Sequence, residues 1–178
     1  RMAVLSGACA ATMNATFGNQ APVARCQDVQ VDADGDCEGT VTAAMVDDGS
    51  SDPDGDPLTL SLAPAGPYPL GVTAVTLTVT DDKGESDTCT ANVTVVDATP
   101  PVVACPADIE VECSVAGGVP ADDPQLAAFF AAFTAEDNCD DALDVAHDAP
   151  ALLPGPCGPA GGVTVVTWTA TDDAGNVA

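Results

Sequence analysis

Basic residues are almost missing from this sequence. Three Lys and Arg face 28 Asp and Glu, a formal net charge of −25 at pH 7 over 178 residues. Phosphate backbones and anionic lipids attract cationic surfaces, so this balance argues against nucleic acid and against direct membrane insertion. It asks for cations instead. Aromatic residues make up only 3% of the chain: Phe17, Tyr68, Phe129, Phe130, Phe133 and Trp168. A core must then be built from Val, Leu and Ala, which makes covalent or metal staples more useful. His147 is the one histidine and no cysteines are spaced C-x-x-C, which leaves little to hold zinc or an iron–sulfur cluster. Also missing are a Gly-rich phosphate loop, a G-x-S-x-G elbow and an H-E-x-x-H pair. Paired carboxylates abound, but glycosidase chemistry needs aromatic sugar platforms that this chain lacks. The sequence reads as non-enzymatic.

What is present is a chain that can fold. It is 46% hydrophobic and rich in Val and Thr, which is too apolar for an acidic disordered segment. Its length allows one large or two small domains. Eight cysteines beside a thin core point to a disulfide framework, and so to a secreted, extracellular or cell-surface setting. No leader or membrane span is visible and the first residue is Arg1, so the chain reads as processed or partial.

An internal repeat sets the expected architecture. "GVTAVTLTVTDDKG" (71–84) and "GVTVVTWTATDDAG" (162–175) agree at ten of fourteen positions, offset by 91. Val75, Leu77 and Val79, like Val166, Trp168 and Ala170, alternate with Thr, the mark of a half-buried strand. The adjacent apolar pairs Ala74–Val75 and Val165–Val166 break that alternation, which predicts a shared β-bulge. "APVARC" (21–26) echoes "PPVVAC" (100–105) as a Pro-led opening strand. The expected layout is an N-terminal extension over 1–17, a first sandwich over 18–97 and a second over 98–178. The hinge "DATPP" (97–101) is short and Pro-stiffened, so the modules should form a semi-rigid rod. A helix is predicted over 122–133, with Asp122 or Asp123 as cap, Pro124 in the first turn, and Leu126, Phe129, Phe130 and Phe133 on its core face.

Several stretches are similar to a known family. "PPVVACPADIEVEC", "AEDNCDD", "HDAP" and "VVTWTATDDAGN" resemble the hyalin repeat (HYR), an immunoglobulin-like extracellular module. "DDGSSDPDGDPLTLS" with "VTLTVTDDKGES" resembles both that family and the polycystic kidney disease (PKD) domain. The resemblance implies an all-β chain of two tandem immunoglobulin-like β-sandwiches serving adhesion, spacing or surface display, without assigning a ligand.

The acidic turns have a chemistry of their own. "DADGDC" (32–37) and "DPDGDP" (52–57) both read D-x-D-G-D, in which a Gly-permitted turn converges alternate carboxylates. Hard oxygen ligands so spaced suit Ca²⁺, although the closing Glu of an EF-hand is missing. The candidate ligands are Asp32, Asp34 and Asp36 in one turn and Asp52, Asp54 and Asp56 in the other, with Asp47, Asp48, Asp81 and Asp82 completing the set. In the second module Glu136, Asp137, Asp140 and Asp141 flank Cys139, and Asp172 and Asp173 repeat Asp81 and Asp82. One calcium per module near that repeated turn is the expectation; Asp and Gly also make good turns without a metal.

Cys26 on the opening strand and Cys89 on the closing strand are expected to pair, closing a long loop. The second module has the matching Cys105, yet its closing strand does not follow the DDAG turn. A similar strand stands at the other end: Cys9 precedes Pro22 by 13 residues, as Cys89 precedes Pro101 by 12. Residues 1–17 are therefore read as a donated strand that completes the second module of a neighbouring copy, with Cys9 bonded to that copy's Cys105. Either subunits donate strands head to tail, which yields a filament, or the chain is one period of a tandem polypeptide. Cys139 is expected to pair with Cys157; Cys37 and Cys113 then remain, to join across an interface, or Cys113 takes Cys139 instead. Asn14 and Asn92 sit in N-x-[S/T] sequons, so glycans are a further expectation.

Overall fold

The computed structural model describes residues 18–154 and 162–178. Cys9, Asn14, Cys157 and the proposed donor segment lie outside those residues. In chain order the first half runs β1 (Val29–Asp32), β2 (Glu38–Gly39), α1 (Ala43–Val46), β3 (Leu58–Ala63), β4 (Tyr68–Pro69), β5 (Gly71–Asp81) and β6 (Ser86–Val96). Four strands form one sheet in the order β1-β6-β5-β3, antiparallel except for the β1–β6 pair.

Alternation decides which face of this sheet is buried. On β5, Val75, Leu77 and Val79 point inward, and on β6 Ala91, Val93 and Val95 join them. The antiparallel β2–β4 pair and the bridges Val23↔Ser51 and Cys26↔Asp47 lie over this face, and Val41, Val46 and Tyr68 close the core. Tyr68 is 1% exposed and donates its hydroxyl to the Pro64 carbonyl at 2.9 Å, so its polar end is satisfied. A Cβ on Gly39 would approach the side chains of Val31 and Val95 to 2.7 Å, so the crossing of β2 over the sheet requires glycine there.

One expectation fails here. The β5–β6 register runs unbroken from Gly71↔Val95 to Thr80↔Ser86, so the strand has no bulge. Ala74 simply lies on the outer face, where a methyl costs little. The one-turn helix α1 was not anticipated, because four residues are too few to express helical periodicity.

The second half contains β7 (Val102–Ala104), β8 (Gly118–Pro120), α2 (Pro124–Ala131), β9 (Thr134–Glu136), β10 (Asp144–His147), β11 (Leu152–Pro154) and β12 (Trp168–Thr171). They pair as β7–β9, β8–β11 and β10–β12, all antiparallel. The predicted helix is present, with Pro124 in its first turn and the Asp123 carboxylate accepting from the Gln125 N–H at 3.0 Å. The helix ends at Ala131, short of the 133 expected; Leu126 is buried, and Phe129 on α2 and Phe133 just past its end meet Trp168, at 5.2 Å and, stacked, at 5.5 Å. His147 ends β10 and stacks on Phe130 at 4.9 Å.

The repeat is geometrical as well as textual. Asp81 N–H donates to the Glu85 carbonyl at 3.0 Å, and Asp172 N–H to the Asn176 carbonyl at 3.1 Å. Gly84 and Gly175 close the two turns at φ 95° and 90°, where a Cβ would be strained. The bridge Thr171↔Val177 repeats Thr80↔Ser86 at the same offset of 91 residues, so Val177 stands where β6 begins.

Candidate cation sites in the acidic turns

The turn at 52–57 is built around Asp52. Its Oδ1 accepts the Asp54 N–H at 2.7 Å and the Asp56 N–H at 3.3 Å, which folds the D-P-D-G-D segment into a tight loop. Its Oδ2 is buried and has no hydrogen-bond partner. β5 carries Asp81 to the same place, and ligand atoms of Asp52, Asp56 and Asp81 all lie within 4.8 Å of one another. Three carboxylates so close repel one another unless a cation is shared. Lys83 supplies part of that charge by an ion pair with Asp56, and lies 3.5 Å from Asp82.

Asp81 is 5% exposed and heavily hydrogen-bonded. Oδ2 accepts from the Asn19 amide at 2.7 Å, and Oδ1 from the Lys83 and Glu85 N–H groups, both at 2.9 Å. The Asn19 bond, with the backbone bonds and against burial, holds this carboxyl below the usual range, so it is a ready anion. Asp54 faces elsewhere: the Gln20 backbone and amide bind it at 2.8 and 3.0 Å and lower its pKa. Asp47 accepts from Ser50 N–H at 3.0 Å and orders the approach to the turn. The orphaned oxygen, the convergence and the hard donor set fit calcium, with remaining ligands from backbone carbonyls or water.

The 32–36 turn is organised differently. Asp34 Oδ1 accepts from Asp36 and Glu38 N–H at 3.0 and 3.2 Å. Among the described residues Asp32, Asp34, Asp36, Asp47, Asp48 and Asp82 join no three-ligand group.

In the second half, Asp137 mirrors Asp52. Its Oδ1 accepts from Cys139 and Asp140 N–H at 2.8 and 3.2 Å, while Oδ2 is buried without a partner. Its neighbour is Asp97, at the end of the first half, with ligand atoms of Asp97, Asp137 and Cys139 within 4.8 Å. Cys139 is oxidised, so the carboxylates are the available donors. Asp140 Oδ2 accepts the Asp173 N–H at 2.7 Å, tying the two acidic turns together. Burial pushes Asp172 up, but bonds from the Asn176 side chain and backbone outweigh it and leave the carboxyl below its usual range. Glu136 and Asp141 line the adjoining cleft with Asp137 and Asp140. Asp97 and Asn176 escaped sequence reading because their roles depend on where the two halves meet.

The cysteines define that meeting. Cys26 and Cys89 are bonded, with Cα atoms 5.9 Å apart, and both pack against the first core. Cys139 bonds Cys37, with Cα atoms 5.3 Å apart and 102 residues between them, and not Cys157. This also excludes the Cys37–Cys113 and Cys113–Cys139 alternatives; Cys113 is itself disulfide-bonded. The reason is local geometry: Cys37 adopts φ 62° at the end of the Asp34-capped turn, and the Asp137 cap presents Cys139. Nearest-neighbour reasoning along the chain has no access to such a contact. The Asn138 amide donates to the Asp34 carbonyl at 3.3 Å beside the bridge. The Asn176 amide reaches the Asp97 and Thr99 carbonyls at 3.2 and 3.4 Å. Cys105 is free and exposed.

Residues 96–178 match the HYR domain family. The chain is also 37% identical over 123 residues, 66% of its length, to hyalin of Lytechinus variegatus, of which it spans 21%. The second half of this chain, residues 96–178, is thus similar to the HYR domain family.

Proposed function

We propose that the protein is a structural, extracellular adhesion-type module. It comprises two tandem immunoglobulin-like sandwiches, stiffened by calcium and joined head to tail by β-strand donation into a fibre or surface layer. The observation that carries the calcium part is the buried, unpartnered Asp52 Oδ2 facing Asp56 and Asp81. Asp97 and Asp137 offer a second position between the halves. Disulfides and the HYR match support the extracellular setting. Among the described residues no helix is long and apolar enough to cross a membrane.

Calcium in this reading neutralises converging carboxylates and fixes the turns from which strands depart, so its work is mechanical. The chain's span of 21% of hyalin also favours a second reading, a spacer or adhesin module within a long tandem-repeat protein. Electron microscopy of the 178-residue chain in calcium and in chelator tests the first: ordered fibres that fray without calcium are expected. Dispersed particles under both conditions would leave the spacer reading.

A further inference from the structure

We infer that Lys83 is a tethered counter-ion of the 52–57 turn, an ammonium that occupies the cation position until a divalent metal displaces it towards Asp82. The inference rests on the calcium reading above and adds to it a residue that sets how tightly the metal is held.

Lys83 is the one lysine of the chain, and one of three basic residues against 28 acidic ones. It stands beside the group formed by Asp52, Asp56 and Asp81. Its ammonium pairs with Asp56 Oδ2, so one oxygen of the group is already held by a positive charge. The Asp56 side chain is 16% exposed and that of Lys83 50%, so the amine reaches in from solvent and its way out is open.

The turn itself does not require this side chain. Ala174 stands 91 residues after Lys83 in the repeat, and the two turns close alike. Asp81 N–H donates to the Glu85 carbonyl and Asp172 N–H to the Asn176 carbonyl, with Gly84 and Gly175 in matching conformations. A methyl group therefore suffices for the turn, and the lysine side chain answers to the carboxylates facing it.

Two donors hold the carboxylates of this group, and they differ in what they can become. The Asn19 amide donates to Asp81 Oδ2 at 2.7 Å, and by turning over it can offer its oxygen to a metal. An ammonium has three donors and no acceptor, so Lys83 cannot become a ligand, and it repels a divalent cation at close range. Calcium entry at Asp56 therefore requires Lys83 to leave. Asp82 provides the destination, with Oδ1 3.5 Å from the ammonium and the side chain 53% exposed. An ion pair this exposed contributes little to stability, so it yields to a doubly charged competitor. The buried Asp52 Oδ2, which neither donor reaches, is satisfied only in the metal-bound state. Release of the lysine opposes entry of the metal, so the site responds at higher calcium than the bare carboxylates would.

The test is calorimetric titration of the 178-residue chain with calcium chloride, beside Lys83→Met, an uncharged side chain of similar reach, and Lys83→Arg, which keeps the charge. Lys83→Met should bind calcium roughly three- to tenfold more tightly, and should melt lower in chelator because the neutralisation is lost there. Lys83→Arg should return to the weaker native binding. With one lysine in the chain, ¹³C-lysine labelling marks that side chain alone, and its NMR signals should shift in step with calcium up to the calorimetric saturation point. Lys83→Met binding no tighter than the native chain, or lysine signals unmoved at saturation, would overturn the inference and leave the calcium reading standing. Absence of calcium binding by both the native chain and Lys83→Met would remove the two together.

Discussion

Asp52 and Asp81 carry most of the chemical content of the first half. One offers a buried oxygen without a donor, the other a carboxyl already biased to its anion. Asp52→Asn keeps the shape but removes the charge, so calcium affinity should fall about tenfold or more, read by calorimetric titration. The pH response follows from the depressed carboxyls. A folded-state pKa held below the unfolded value contributes stability that is present above the unfolded pKa and is lost as pH falls through the folded one. Asp81 is lowered by Asn19, Asp54 by Gln20 and Asp87 by the Ala24 N–H. In chelator, the melting temperature should therefore drop as pH falls from about 5 to about 2, and Asn19→Ala should flatten that slope. A slope unchanged by Asn19→Ala would remove the assigned cause.

Among the elements, β5 and β6 were the most legible. Their alternation is strong because one face meets a core and the other meets Thr and solvent, and Val75, Leu77 and Val79 are buried as the pattern requires. The helix of α2 was legible for a similar reason, since Asp123 and Pro124 mark its start in sequence. Features made by contact between distant segments were not. Gly39 reads as an ordinary turn residue, yet it is the place where β2 passes against Val31 and Val95. Gly39→Ala should cost about 1–3 kcal/mol in chemical denaturation, because the neighbours are valines with little freedom to move. Of the acidic turns, 52–57 and its link to Asp81 could be anticipated from spacing, whereas the Asp97–Asp137 approach could not. Turn spacing encodes local convergence and says nothing of which turns come to face each other.

For the molecule as a whole, the join between halves combines a disulfide, two asparagine amides and a pair of carboxylates. Cys37–Cys139 is partly exposed, so solvent reductant can reach it. Replacing both cysteines by Ser should leave each half folded while raising protease cleavage near 97–101, the segment they brace. Unchanged cleavage would show that the carboxamide contacts of Asn138 and Asn176 suffice. At a net charge of −25 converging carboxylates repel one another, and the central proposal is that calcium offsets that repulsion. Scanning calorimetry of the intact chain, in chelator and in about 10 mM calcium, is the direct measurement. For a dissociation constant near 0.1–1 mM, mass action predicts stabilisation of about 1.4–2.7 kcal/mol and a melting temperature higher by roughly 3–10 °C. Asp52→Asn should remove most of that rise, whereas identical melting of the native chain in calcium and in chelator would contradict the account.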